Sequence, residues 1–226
     1  MQRHLFMESF FLSEDTEKLK KIYQLYEKTL ADTKGVCHQG CADCCTCNVI
    51  LTSLETKFLV QSLDSGSLAQ MKQRLEKKIP PKRYIPKMTT NQFASYCLSG
   101  QEIPEEENDP DWGRCPLLED DCCTIYPSRP FGCRSMMSDV YCKETGFAQV
   151  PPLALTITNI FLQYIEHLDF QGFSGNLSDM LPLSLENFGN FEKNHCIKNR
   201  KMAVLLVPPE HRTAVAPLLK QMAALT

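Results

Sequence analysis

The stretch CHQGCADCCTC, Cys37 to Cys47, gives five of its eleven positions to cysteine, two of them adjacent. A second patch, RCPLLEDDCCTIYPSRPFGCR, carries Cys115, Cys122, Cys123 and Cys133, and Cys142 follows in YCKETG. Thiols at this density must be bridged, ligated or shielded, so they constrain the fold more than any other feature of the chain. A disulfide framework would spread its cysteines through a small secreted scaffold. Here most of the twelve fall in two patches flanked by cysteine-free helical sequence, which favours metal ligation in a reducing compartment.

The first patch has the spacing C-x3-C-x2-C-C over Cys37, Cys41, Cys44 and Cys45. Gaps of this size let a tight turn, eased by Gly40, aim successive sulfurs at one point, which is how Zn2+ at ~2.3 Å or an iron-sulfur cluster is gripped. Neighbouring side chains diverge in most backbone conformations, so Cys44 and Cys45 are not expected to share one tetrahedral ion. More than one metal position follows, as two mononuclear sites or one multinuclear cluster, unless one of the pair is only a buried thiol. The two patches offer at least eight thiolates, where a zinc ribbon needs about four. Thiolates select zinc, iron-sulfur or Cu(I), not magnesium or calcium. Arg114, Arg129 and Arg134 stand in or beside the second patch as candidate cofactor-binding residues. They can bond the thiolates, clamp an anionic substrate or simply hold loop carbonyls.

A net charge of -3 offers no basic surface for nucleic acid, and 43% hydrophobic residues suit an ordinary globular domain. The opening MQRHLFMESFFL faintly resembles a secretory signal, but Glu8 interrupts it and no small-residue cleavage site follows. No segment reaches the roughly 18 apolar residues of a membrane span. The expected location is cytoplasmic, with metal ions as partners and neither nucleic acid nor membrane.

Around the patches the pattern is helical. Leu19, Ile22, Tyr23, Tyr26 and Leu30 recur at helical steps between Glu14 and Lys34, with Gly35 as a stop. Val49 to Leu51 reads as extended, and Thr52 with Glu55 forms a capping box for a helix from Ser53 to about Leu63. Leu68, Met71, Leu75 and Ile79 mark a further helix ended by Pro80 and Pro81. QEIPEEENDPD, from Gln101, reads as a solvated acidic loop. Leu153 to Leu168 carries the wide apolar stripe of a buried helix. MAVLLV, from Met202, reads as a strand, and a last helix runs from Glu210 to Leu225. The expected fold is mainly α with little β, a small single domain with long irregular metal-stabilised loops. Residues 1–36 form its N-terminal helix, 37–142 the cysteine-cluster metal-binding region, and 143–226 a helical extension completing the same domain.

CHQGCADCC, followed after an insert by RCPLL, CTIYPSRPFGCR and one further cysteine, resembles the YkgJ-like cysteine-cluster family, a zinc- or iron-chelating CxxxCxxCC domain. The resemblance covers Cys37 to about Cys142. It implies a ligand set of Cys37, Cys41, Cys44, Cys45, Cys115, Cys123, Cys133 and Cys142. Cys97 matches a further cysteine of some members. Cys122 stands where many members have another small residue, and Cys47 and Cys196 lie outside the pattern. The flagellin lysine N-methylases look similar in carrying a related cluster, but no glycine-rich loop for S-adenosylmethionine is present here. Of the histidines, His38 and His195 lie near cysteines and are secondary ligand candidates, while His4, His167 and His211 are scattered.

Three functions remain open at this level. The chain can be a redox or modifying enzyme built on an iron-sulfur cluster, a module that Zn2+ only staples, or a metal carrier.

Overall fold

The computed structural model describes residues 14–33, 35–185 and 195–225. The opening dodecapeptide and His4 lie outside them. The periodic stretch after Glu14 forms helix α1, Glu14–Thr29, which buries Leu19, Ile22, Tyr23 and Tyr26. Strand β1, Ile50–Thr52, leads directly into α2, Ser53–Gln61. The capping box forms as expected: Thr52 Oγ1 accepts from Glu55 N, and the Glu55 carboxylate accepts from Thr52 N at 2.8 Å. Helix α3, Ser65–Lys78, is capped by Asp64 and ends before the two prolines.

Helix α7, Pro152–Leu168, is the central element, and α9, Arg212–Ala223, packs near it through Val215, Leu218 and Met222. Their apolar faces meet α1, α2 and Phe131 in one core, where Tyr23, Tyr26, Phe131 and Phe161 contact one another edge-on or stacked. A second core gathers Leu51, Leu59, Met71, Leu75, Leu117, Ile125 and Leu177. Cys115 and Cys123 pack against its edge. The fold is mainly α, as expected. The N-terminal and C-terminal helices share one core, to which Phe131 of the cysteine region also belongs.

Several elements were not expected from the sequence, the following four among them. Helix α4, Thr90–Ser99, starts at the Thr89 cap, and its first turn is held by Glu166 of α7, whose carboxylate accepts from Asn91 N at 2.7 Å. Strand β4, Phe173–Asn176, is the middle of a three-stranded antiparallel sheet in the order β1-β4-β5, with β5 at Cys196–Lys198. Helix α8, Leu177–Leu185, follows β4.

The expected strand at Met202–Val207 does not form. Its backbone is satisfied by side chains of α7 instead: Gln163 donates to Val204 O at 2.8 Å and accepts from Leu206 N at 2.9 Å, while Met202 N donates to His167 Nδ1. An amide side chain offers both a donor and an acceptor, so it can replace a neighbouring strand.

Asp169, at the end of α7, ties that helix to the start of α2 and to the sheet. Its Oδ2 accepts from Ser53 Oγ, Leu54 N and Asn199 Nδ2 at 2.6, 3.0 and 3.1 Å. Gly172 lies so close that an added Cβ would stand 2.0 Å from Ser53 Oγ. Burial lifts the Asp169 carboxyl from its ordinary 3.8 to about 6, against the opposing Ser53 and Leu54 hydrogen bonds. The folded chain therefore holds this proton more tightly than the unfolded one. The resulting stabilisation is complete below about pH 4 and is lost as pH rises through about 6. Asp169→Asn is expected to flatten that part of the stability profile in urea titrations between about pH 4 and pH 7; an unchanged slope would assign it to other carboxyls.

Candidate metal centre

The two cysteine patches are joined through their backbones. Cys115 N donates to Cys45 O and Cys47 N to Gly113 O, each at 2.9 Å, around an antiparallel bridge between Thr46 and Arg114. About seventy residues separate these partners in sequence, yet the two patches line one cavity of about 600 Å3. Cys37, Cys41, Cys44, Cys45, Cys115, Cys123 and Cys133 all face it. Its wall also includes His38, Tyr84, Met88, Tyr126, Arg129 and Arg134. All twelve cysteines are free thiols.

Local geometry explains which sulfurs turn inward. Gly40, at φ +95°, makes the turn that closes with Cys41 N donating to His38 O, and a second turn joins Cys45 N to Ala42 O. Strands β2, Leu118–Glu119, and β3, Cys122–Cys123, form a hairpin whose tip residues Asp120 and Asp121 have φ of 46° and 60°. Asp tolerates this left-handed turn better than most residues. Side chains alternate along a strand, so Cys122 faces out and is exposed while Cys123 turns toward the cavity. Cys133 sits on α5, Phe131–Arg134, whose first amide, Phe131 N, donates to the buried Glu55 carboxylate at 2.7 Å. Cys142 opens the short helix α6, Cys142–Thr145. That segment lies against the first patch: Val36 N donates to Ser138 O at 2.9 Å, and Lys143 Nζ stands 3.8 Å from Asp43 Oδ1.

Electrostatics set the protonation of the thiols. Burial pushes Cys115 up to about 11 and also raises Cys37, Cys123 and Cys133. Backbone amides oppose this by pointing at three of the sulfurs: Leu117 N–H at Cys115, Ile125 N–H at Cys123 and Ser138 N–H at Cys37. Cys44 holds its proton to donate to Cys45, which raises Cys44 and lowers Cys45. Amide donors to sulfur stabilise the thiolate, the form a metal needs, and Arg129 adds positive charge beside Cys123 and Cys133.

The three arginines differ in what they can do. Arg134 is committed to structure: it pairs with Glu27, donates to the Arg129 and Pro127 carbonyls and lies over the Tyr23 ring. Arg114 is exposed and pairs with Asp121. Arg129 lines the cavity over the Tyr126 ring, 3.8 Å from its centroid, and is the arginine with reach to the sulfurs. Cys47 is a buried thiol bonded to Asn48 and the Lys82 carbonyl, Cys97 is exposed on α4, and Cys196 packs on Met180. His195 belongs to a separate network with Asp179 and Arg83, and His211 bonds Thr156. The acidic loop from Gln101 is largely exposed, yet Glu106 pins it through Tyr84, Lys87 N and Met88 N. Asn48 bonds the same loop at Asn108 and Asp109, a tie the sequence did not signal.

Among the described residues, no set of three or more His, Cys, Asp or Glu side chains is placed to ligate one ion. The donor chemistry fits a thiophilic metal, and an ion would have to draw the sulfurs toward the ~3.8 Å edges of a tetrahedron with ~2.3 Å bonds. Protons would be displaced from the raised thiols, making uptake stronger as pH rises. Among the described residues no helix is long and apolar enough to cross a membrane. No protein-family model, curated protein or solved structure matches this chain.

Proposed function

We propose that this chain is a metal-binding cysteine-cluster protein of the YkgJ-like kind, holding an iron-sulfur or zinc centre through Cys37, Cys41, Cys44, Cys45, Cys115, Cys123, Cys133 and Cys142. The observation that carries the reading is the pairing of Cys45 with Cys115 across the Thr46–Arg114 bridge, which turns two distant patches toward one cavity. Amides aimed at three sulfurs and the Arg129 guanidinium supply the surroundings that thiolate ligands require.

The centre serves a redox or modifying reaction in a cytoplasmic protein. Support comes from the cavity, whose walls extend well past the sulfurs to Tyr84, Met88 and Ile197 and so leave space for a second molecule. When bound, an iron-sulfur cluster supplies one-electron chemistry; the chain's own part is to hold the sulfurs, place Arg129 beside them and shield them with Leu117 and Ile125.

A second reading is favoured by the irregular backbone from Gln101 to Pro151, which contains only short elements. A zinc ion there would act as a staple and its binding energy would be folding energy. Protein purified without oxygen decides between them. Iron with near-equal acid-labile sulfide and a brown colour is the expected result, colourless protein with stoichiometric zinc supports the staple, and folded protein binding neither metal overturns both.

A further inference from the structure

We infer that the eight cysteines form two separate metal sites of four, an outer one from Cys37, Cys41, Cys44 and Cys142 and an inner one from Cys45, Cys115, Cys123 and Cys133. The inference rests on the metal-binding reading above and divides its ligand set.

The backbone makes the division. Cys45 is joined to Cys115 by its carbonyl, the Leu118–Cys123 pairing of the hairpin carries Cys123 toward Cys115, and α5 presents Cys133 to the same cavity. These four are all half-buried, and Cys115 and Cys123 rest on the second core. Of the other four, Cys37, Cys41 and Cys44 line the same cavity from the first patch, and Cys41 and Cys142 are half-buried as well. The Val36–Ser138 bond and the Lys143–Asp43 contact bring the start of α6 to the first patch, so Cys142 approaches Cys37 from outside the cavity. Cys37 and Cys44 are exposed.

Cys44 and Cys45 are consecutive in the chain, so the two sites adjoin there. The adjacent pair stands at that junction: Cys44 and Cys45 are hydrogen-bonded to each other in this structure, and each would turn to its own ion once the bridging proton is displaced.

The experiment is a Co2+ titration of anaerobically reduced wild-type protein, read by thiolate-to-cobalt absorption and bound-metal stoichiometry, with circular dichroism as a check on folding. Two equivalents are expected. Cys37→Ser/Cys142→Ser should stay folded and keep one, with the inner-site spectrum; Cys115→Ser/Cys123→Ser should lose the other. Should the inner variant unfold, Cys44→Ala against Cys45→Ala still decides, because each must alter a different one of the two spectral components. One equivalent in wild type, loss of both in the outer variant, or the same component lost from both alanine variants overturns the division and leaves the metal reading standing. Failure of wild type to bind Co2+ overturns the metal reading itself.

Discussion

Cys123→Ser is expected to lose metal and stability together, whereas Cys122→Ser, one residue earlier, leaves both nearly unchanged. The two are chemically identical and adjacent, so any difference must come from direction. Cys123 turns inward with the Ile125 amide at its sulfur and Arg129 beside it, while its neighbour is exposed on the other face of the hairpin. Structural zinc in thiolate sites contributes roughly 10 kcal/mol or more of binding free energy that is also folding free energy. Removal of one inner ligand should therefore cost several kcal/mol and lower the melting temperature by about 10 °C or more. Cys41→Ser should also lose metal and stability together, but only the equivalent held by its own four cysteines. Cys196→Ser, whose sulfur packs on Met180 away from the cavity, should keep its metal and lose little stability. Metal stoichiometry and thermal melts on the same anaerobic samples check this, and full metal retention by Cys123→Ser would contradict it.

Glu55→Ala should be the most destabilising substitution outside the cysteines. The carboxylate is buried and joins three elements: it accepts from Thr52 N in its own capping box, from Tyr23 Oη on α1 at 2.9 Å and from Phe131 N at 2.7 Å. Truncation leaves these donors unpaired in a dry environment and opens a cavity beside the aromatic cluster. A buried donor left without a partner costs about 1–3 kcal/mol, and three are orphaned here. Phe131 begins the helix that carries Cys133, so weaker metal retention should accompany the loss. Tyr23→Phe removes only one of the three bonds and should cost about 1 kcal/mol. Urea unfolding of the three proteins measures the order, and equal midpoints for Glu55→Ala and wild type would remove Glu55 from this role.

The parts of the fold legible in the sequence are those whose signals are local. Leu19, Ile22, Tyr23 and Tyr26 declare α1, and Thr52 with Glu55 declares the start of α2, because each is a matter of residues three or four apart. Helix α4 left a fainter mark: Thr89 caps it by accepting from Gln92 N, but its buried residues are Asn91 and Ala94, not an apolar stripe. Strand β4, Phe-Ser-Gly-Asn, has no alternation to read and exists because β1 and β5 flank it. MAVLLV misleads for the opposite reason, since its strand-like composition meets Gln163 and His167 where a strand would need another backbone.

The cysteine site divides in the same way. Spacing alone marked Cys37, Cys41, Cys44 and Cys45 as ligand-like. That Cys123 and not Cys122 faces the cavity depends on the two left-handed Asp residues of the hairpin, and that Arg129 and not Arg134 has reach depends on Glu27 and Tyr23 far away in sequence. The resemblance to the cysteine-cluster family singled out Cys123 over Cys122, but the spacing of the patches gave neither choice.

The most direct test of thiolate convergence is X-ray absorption at the edge of whichever metal the anaerobically purified protein carries. A first shell of sulfur alone, about four per metal at ~2.3 Å, is the predicted result. A shell dominated by nitrogen or oxygen would contradict it.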